Sequence, residues 1–310
     1  MENKKPFVSV IIPAYNAEKH IERCIKSLIN QNYPKNKLEI IVINNNSSDS
    51  TKSILKKYSV IYKFEGIPGP SAARNKGLKI ARGKYILLLD ADCVATKNWI
   101  LNHIKAHQML FEEDRSYKIV GGGIAGINEN YWSMCDDFGS WTNEHPKMPP
   151  KKDLFYFPTA NMSFSRELID KHHIYFDKDL KFGEDIDFCN NVKKRNYKIY
   201  FEPEAKLFHI NRTTVAAFMK HAKNWAISEI SLQKKGIINR LDMSNSRLII
   251  HYSKDFLKNI TKILINSLKC KRFKIMLYYP WIVLNQFVFF SECYKLITNY
   301  KKGIKYEKAL

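Results

Sequence analysis

Two aspartates with one residue between them, Asp90 and Asp92, directly follow the apolar run at residues 86–89. Carboxylate oxygens suit a hard cation such as Mg²⁺ or Mn²⁺, and one of the two acids can instead accept a hydrogen bond from a ribose hydroxyl. A metal held there would neutralise a departing diphosphate. Acids at the end of a strand are also common turn and capping residues, so the pair by itself leaves both interpretations open.

A second acidic cluster, at residues 184–187, contains Glu184, Asp185 and Asp187. A carboxylate beside a bound hydroxyl group can take up its proton as a general base. Acids at a helix N-terminus also stabilise the exposed amides and the helix dipole. We expect both, with Asp185 as the base and with Glu184 and Asp187 in structural roles.

Two further residues carry chemistry that depends on their surroundings. Arg74 lies in the helical pattern at residues 71–81. A guanidinium there can make bidentate contacts to a phosphate, although a helical arginine is often a surface residue. His209 follows the segment Glu202-Pro203-Glu204, which we interpret as a turn. Its imidazole can supply a nitrogen ligand to a metal or serve another role.

A glycine-rich segment at residues 121–126 matches the G-x-G-x-x-G pattern of dinucleotide-binding proteins. The residues that follow it, 128–141, are polar and aromatic, with no clear helix and no second strand that ends in an acid. We therefore interpret the segment as a close-packed strand and turn, and not as a nicotinamide site.

The elements that must position these residues alternate between strands and helices in the first half of the chain. Apolar runs predict strands at residues 7–12, 39–43, 60–64 and 85–89, and helical spacing predicts helices at 18–28, 50–58 and 71–81. This alternation predicts an α/β fold with a mostly parallel sheet covered on both faces by helices. Polar motifs at residues 14–16, 44–46 and 90–92 follow three of the strands. Because ligands bind beyond the carboxyl ends of such strands, we expect one site there.

The second half of the chain is less regular. Strands are predicted at residues 118–123, 155–165 and 198–201, and a helix from about Asp185. Residues 127–150 are interpreted as a polar, aromatic and mobile connection. Beyond Thr213 the pattern becomes helical and basic.

The charge balance is strongly basic. The chain carries 51 basic and 30 acidic residues, and 16 of the basic but only 4 of the acidic ones lie from residue 234 onward. Such a balance favours nucleic acid or an anionic membrane as a partner, unless it reflects compositional bias alone. We expect no nucleic acid, because no nucleic-acid-binding motif is recognised.

The six cysteines lack C-x-x-C spacing, which favours a reducing compartment, and the N-terminal apolar run is too short for a signal peptide.

Taken in order, the motifs between Val8 and His209 resemble glycosyltransferase family 2, whose members have the GT-A fold and invert the anomeric configuration of the sugar that they transfer. The segments that carry the resemblance are VSVIIPAYNAEKHIERCIKSLINQ, EIIVINNNSSDST, GPSAARNKGLKIARGKYILLLDADC, FPTANMSFSRE and FGEDIDFCNNVKKRNYKIYFEPEAKLFHI. The resemblance implies a GT-A catalytic domain at residues 1–212, with a nucleotide-sugar half at 1–125 and an acceptor half at 126–212. A basic helical region follows at 213–310.

The resemblance also implies a role for each motif residue. The implied nucleotide-sugar-binding residues are Pro13, Tyr15, Asn16, Asn44, Asn46, Arg74, Asp90 and Ala91. Asp92 and His209 would hold Mg²⁺ or Mn²⁺, and Asp185 would be the catalytic base. Asn161 and Glu184 would lie on the acceptor side.

Asn44 departs from the family pattern, which usually has an aspartate at the start of the base-binding turn. An aspartate only accepts hydrogen bonds, as uracil N3–H requires, whereas an amide both donates and accepts. The resemblance therefore favours a UDP-sugar donor and leaves other bases open.

A metal-dependent nucleotidyltransferase is the alternative function. It would show a basic, glycine-rich phosphate loop near the N-terminus, and the turn at residues 13–16 is not one.

Residues 275–290 form an aromatic, apolar run that contains Pro280 and follows the basic segment 269–274. Its length is below the roughly 20 residues that span a bilayer. The run suits an interfacial segment on an anionic membrane, and it equally suits a helix packed on the catalytic domain or on a dimer partner. With a glycan or lipid-linked acceptor, the first alternative predicts a cytoplasmic enzyme at the inner face of the cytoplasmic membrane.

Overall fold

The computed structural model describes residues 5–302. The strands are β1 (Val8–Ala14), β2 (Leu38–Asn44), β3 (Ile61–Phe64), β4 (Tyr85–Leu89), β5 (Cys93–Ala95), β6 (Tyr117–Ile127), β7 (Asn161–Ser165) and β8 (Lys198–Ile210). The α-helices are α1 (Ile21–Ile29), α2 (Thr51–Leu55), α3 (Pro70–Ile80), α4 (Trp99–Glu113), α5 (Tyr131–Ser140), α6 (Glu167–Asp170), α7 (Glu184–Lys193), α8 (Val215–Lys234), α9 (Asn245–Lys269) and α10 (Ile275–Lys301).

The strands form one eight-stranded sheet in the order β3-β2-β1-β4-β7-β6-β8-β5. Strand β1 pairs in parallel with β2 and β4, and β2 pairs in parallel with β3. Strand β7 is antiparallel to β4 and β6, and β5 is antiparallel to β8. The sheet is therefore mixed, and the predicted parallel arrangement is confined to the strands of the first 89 residues.

The parallel strands are buried along almost their whole length, because helices cover both faces of the sheet. Helix α1 turns the apolar face of Ile21, Ile25 and Leu28 into the interior, and α3 packs against β1 and β2. At Gly77 on α3 an added Cβ atom would lie 2.4 Å from Ile11 of β1, so the glycine permits this close approach.

The glycine-rich segment at residues 121–126 lies within strand β6, and its glycines serve packing. A Cβ atom at Gly121 would meet the ring of Phe157 at 2.2 Å, and one at Gly122 would meet the carbonyl oxygen of Ala205 at 2.2 Å. The predicted turn is wrong, because the strand continues to Ile127. The connection predicted to follow it contains helix α5, which begins with a capping box between Asn130 and Ser133.

Two further parts of the second half differ from the sequence prediction. Strand β8 continues through Pro203, so the predicted turn at residues 202–204 is wrong and His209 lies within a strand. Strand β7 begins only at Asn161. Helix α4, which the sequence analysis did not anticipate, buries Trp99 and Leu110.

The chain folds as two compact units. The first contains the segments up to Ala125, Glu144–Asp179 and Glu184–Ile210, and the second contains Gly126–Asn143, Leu180–Gly183 and the chain from Asn211. The predicted acceptor half at residues 126–212 is thus divided between them.

The second unit is helical, as the sequence beyond Thr213 predicts. Its helices α8, α9 and α10 share a buried cluster that includes Leu248, Phe290 and Cys293. Pro280 lies inside α10, whose first half packs on α5 and α9 through Phe138 and Ile282. Within residues 5–302, no helix combines the length and the apolar content that crossing a bilayer requires.

Candidate active site

Three parallel strands bring the predicted polar motifs to the same edge of the sheet. The register of β1 and β2 places Ala14 beside Asn44, and β4 lies on the other side of β1. The turns at residues 15–16, 45–46 and 90–92 therefore follow neighbouring strand ends. Tyr15 is 65% exposed there, so its ring is accessible for stacking.

The turns after β1 and β2 are joined by hydrogen bonds. The backbone amide of Asn16 donates to Ser47 Oγ at 3.0 Å, and Asn16 Oδ1 accepts from the backbone amide of Ser48 at 2.9 Å. Asn16 has a φ of 45°, a left-handed conformation that asparagine adopts more readily than most residues. The two turns thus form one rigid surface at the end of the sheet.

Asn44 is buried, and both ends of its amide have partners within the protein. Its Oδ1 accepts from the backbone amide of Ser47 at 3.2 Å, and its Nδ2 donates to the hydroxyl of Tyr62 at 3.1 Å. Asn46 is exposed and donates to the carbonyl oxygens of Glu65 and Gly66. Asn44 therefore shapes the turn, while Asn46 lies at its surface.

Asn45, which the sequence analysis did not single out, connects this turn to the start of α3. Its Nδ2 donates to the carbonyl oxygens of Glu65 and Ile67, and its Oδ1 accepts from the backbone amide of Gly69 at 2.7 Å. The run Asn44-Asn45-Asn46 was the available signal, because buried asparagines commonly satisfy backbone groups of a neighbouring loop.

Arg74 joins the two acidic clusters that lie far apart in the sequence. Its Nη2 is 2.9 Å from Asp90 Oδ1, and its Nη1 is 2.7 Å from Glu184 Oε1. The side chain is almost fully buried, and Nε has no hydrogen-bond partner among the described residues. Burial of this guanidinium is compensated by two carboxylates, which keeps Asp90 and Glu184 in fixed positions around it.

Asp92 and His209 meet because β5 pairs with β8, which places Cys93 directly opposite His209. Asp92 Oδ2 is 3.5 Å from His209 Nε2. Ligand atoms of Asp92, Cys93 and His209 all lie within 4.8 Å of one another. A carboxylate and an imidazole fit Mn²⁺ better than Mg²⁺, which prefers oxygen ligands alone. Burial raises the pKa of the Cys93 thiol well above its usual range.

Asp185 lies in the first turn of α7 and is 8% exposed. Burial, followed by the negative charge of Glu184, raises the pKa of its carboxyl group to about 7. A hydrogen bond from the backbone amide of Ile186 and the charge of Arg74 act in the opposite direction. A carboxyl group with a pKa in this range can take up a proton near neutral pH.

Asn161, which the resemblance assigns to the acceptor side, has all of its side-chain polar groups engaged within the protein. Its side chain is fully buried, with Oδ1 accepting from Trp99 Nε1 at 2.7 Å and contacting His103 Nε2 at 2.9 Å. Its Nδ2 donates to the carbonyl oxygens of Gly123 and Ala205. All of its hydrogen-bonding groups are used within the sheet and α4, so it is not available to an acceptor.

The remaining predicted residues occupy supporting positions. Pro13 lies within β1 opposite Ile43, and Ala91 lies between the two aspartates in the turn after β4. Glu184 accepts a hydrogen bond from the guanidinium of Arg74, a partner that the sequence did not reveal.

The mixed sheet, its helices on both faces and the acids at its strand ends agree with the GT-A fold that the sequence motifs imply. Residues 9–172, more than half of the chain, match the model of the family described as "Glycosyl transferase family 2". The chain belongs to this family, and it is a glycosyltransferase.

Curated relatives from archaea agree with this assignment. The chain is 27% identical over 248 residues to the dolichyl N-acetyl-alpha-D-glucosaminyl phosphate 3-beta-D-2,3-diacetamido-2,3-dideoxy-beta-D-glucuronosyltransferase of Methanococcus voltae. The aligned region covers 76% of each of the two chains. It is 29% identical over 207 residues to glycosyltransferase AglE of Haloferax volcanii. This alignment covers 65% of this chain and 66% of that protein.

Solved structures confirm the fold. The mannosyltransferase PcManGT from Pyrobaculum calidifontis, in complex with GDP-Man and Mn²⁺, superposes with a TM-score of 0.60 at 17% identity, covering 98% of this chain and 89% of that one. S. aureus TarS 1-349 in complex with UDP-GlcNAc superposes with a TM-score of 0.50 at 20% identity, covering 97% and 93%.

Proposed function

We propose that this glycosyltransferase moves a sugar from a nucleotide diphosphate sugar, preferably a UDP-sugar, to a hydroxyl group of a glycan or lipid-linked acceptor, with inversion. The observation that carries the proposal is the position of Arg74 between Asp90 and Glu184. It connects the acids at the end of β4, assigned to the donor, with the helix terminus that bears Asp185, assigned to the acceptor.

Asp185 acts as the general base in this proposal. The acceptor oxygen attacks the anomeric carbon, the bond from that carbon to the diphosphate oxygen breaks, and the hydroxyl proton passes to the Asp185 carboxylate. Because the pKa of Asp185 is about 7, the carboxylate is available near neutral pH and still basic enough to hold the proton. Inversion follows from direct attack, which needs no enzyme nucleophile.

Asp92 and His209 would hold the divalent cation in this proposal. When bound, the cation, Mn²⁺ in preference to Mg²⁺, would supply positive charge beside the departing diphosphate. The carboxylate–imidazole pair supports this choice, as does the Mn²⁺ in the PcManGT complex. Asp90, held by Arg74, accepts from the ribose, and the exposed ring of Tyr15 stacks on the base.

Within this proposal, a lipid-linked acceptor would place the enzyme in the cytoplasm at the inner face of the membrane. The name of the Methanococcus voltae relative specifies a dolichyl phosphate-linked sugar as acceptor, which supports this assignment. The strongly basic C-terminal helices are consistent with an anionic surface nearby.

A panel of nucleotide sugars, with Mn²⁺ or Mg²⁺, tests the proposal through donor binding and slow donor hydrolysis. We expect one donor to bind in a metal-dependent manner and to release its nucleoside diphosphate. A lack of response to every donor would contradict the proposal, and release of pyrophosphate would identify a nucleotidyltransferase instead.

The base is tested with Asp185→Asn, which preserves the size of the side chain. Transfer should fall by at least about 10²-fold, the contribution typical of a general base, while donor affinity stays unchanged. Asp179→Asn, at an exposed position in the same unit, is the matched control and should retain full activity. Lost donor binding with a normal rate of transfer would remove the base assignment.

A further inference from the structure

The turn between α9 and α10, together with the first turn of α10, presents large apolar side chains to solvent. Phe273, Met276 and Leu277 are 65%, 63% and 64% exposed, although they are close together in the chain. Three exposed lysines lie close to them in the sequence: Lys269, Lys271 and Lys274. We call these six residues the hairpin tip.

The hairpin tip is held firmly by the rest of the second unit. Arg272, at its centre, points inward, where its guanidinium pairs with Asp137 and lies 3.9 Å from the ring centroid of Phe138. The hydroxyl of Tyr131 donates to the carbonyl oxygen of Leu277 at 2.7 Å. The exposed apolar side chains therefore belong to an ordered structure, and their exposure is not the result of a loose end.

A shallow groove on α9 extends this surface along the helix. Its apolar members are Leu257 and Ile265, and its basic members are Lys258, Lys262 and Lys269. None of these three ammonium groups, nor those of the other two tip lysines, forms an ion pair with a described residue. From residue 256 to residue 291 the sequence contains six basic residues and no acid.

We propose that the hairpin tip and the α9 groove dock on an anionic phospholipid surface. Exposed aromatic and aliphatic side chains with exposed lysines next to them in the sequence match the apolar boundary and the negative headgroups of such a membrane. The inference deepens the proposed membrane location and is independent of the sugar-transfer chemistry.

Charge decides against a second copy of the chain as the occupant of this surface. In a symmetric dimer the same surface would face itself, so the unpaired lysines of one copy would meet those of the other. An anionic bilayer removes that repulsion and accepts the apolar side chains at the same time.

Vesicle flotation with the full chain tests the proposal. We expect binding to vesicles of phosphatidylcholine with phosphatidylglycerol, and little binding to phosphatidylcholine alone. The triple variant Phe273→Ser, Met276→Ser, Leu277→Ser and the triple variant Lys269→Glu, Lys271→Glu, Lys274→Glu should each weaken binding at least tenfold. Both sets are exposed, so the fold should be retained.

The matched control reverses the same number of charges on the first unit, at the exposed residues Lys52, Lys56 and Lys57. This control should bind vesicles much more tightly than the variant with Lys269→Glu, Lys271→Glu and Lys274→Glu. An equal loss in both would show that net charge alone drives binding, and no binding of the original chain would also overturn the proposal. So would a concentration-dependent dimer that the serine variant abolishes.

Donor hydrolysis in solution should stay unchanged in every docking variant. Docking can therefore fail while the chemistry persists, and the chemistry can fail while docking persists.

Discussion

Arg74 offers the sharpest test of the site, because it is the buried charge between two carboxylates. Arg74→Met keeps an unbranched side chain of similar length and removes the charge. Asp90 is about one-third exposed and regains water, whereas Glu184 is nearly buried and does not. Breaking a buried ion pair costs about 3–5 kcal/mol, and we expect most of that loss to arise from Glu184.

The same substitution should change the pH dependence of transfer. The positive charge of Arg74 lowers the pKa of Asp185, while burial and Glu184 raise it to about 7. Without Arg74 the pKa rises further. The acid limb of the kcat profile should therefore move to higher pH, because a larger fraction of Asp185 is protonated at any given pH.

Urea unfolding followed by circular dichroism measures the free energy of unfolding, and initial rates at a series of pH values locate the acid limb. Adding Glu184→Gln to Arg74→Met should recover most of the lost stability, since it removes the unpaired buried charge. Lys152→Met is the control, because its pair with Glu113 is half exposed and contributes about 1 kcal/mol or less. A loss no larger than that of the control, or no recovery in the double variant, would refute the reasoning.

Three further predictions concern stability and metal binding. The folded chain holds the Asp185 proton more tightly than the unfolded chain, so this group's contribution to stability is lost as pH rises from about 4 through 7. Asp185→Asn should therefore raise the free energy of unfolding more at pH 8 than at pH 5, by about 2–3 kcal/mol, and an equal effect at both pH values would contradict the assignment. Gly122→Ala should destabilise the chain by about 1–3 kcal/mol, because the new methyl group would meet the carbonyl oxygen of Ala205. The control Gly66→Ala should be tolerated, since its new methyl group would lie 3.6 Å from the ring of Phe64. Mn²⁺ at a hundred times its Kd should stabilise the chain by about 2.7 kcal/mol in calorimetry, and His209→Ala should remove most of this gain; an undiminished gain in the variant would place the metal elsewhere.

The first half of the fold was predictable because its strands are short, apolar and bounded by turn residues. Strand β4 begins and ends where the run Tyr85–Leu89 does. Parallel pairing then requires the polar motifs at residues 14–16, 44–46 and 90–92 to share one edge of the sheet, which the structure confirms. Local pattern and topology act in the same direction there.

The second half was harder because its signals compete. Pro203 indicates a break, yet β8 continues past it with buried and exposed residues alternating. Helix α5 is polar and aromatic, and its capping box uses asparagine and serine instead of the more familiar serine and glutamate pattern.

Long-range partners could not be derived from the sequence at all. Arg74 and Glu184 are 110 residues apart, and nothing in either local pattern points to the other. Asn161 lies in a motif that matches the family, yet packing against Trp99 and His103 gives its side chain a structural role. Residue type and spacing predicted which edge of the sheet carries the site. They did not predict which polar side chains would instead form buried structural hydrogen bonds.

The contact between Asn44 and Tyr62 has a consequence for which residues this position can accept. A hydroxyl group can reverse its role, so Tyr62, which now accepts from the amide, could donate to a carboxylate at the same place. The amide of Ser47 would keep its acceptor as well. An exchange between asparagine and aspartate would therefore leave the turn intact. The position can therefore carry either residue without any rebuilding of the scaffold around it.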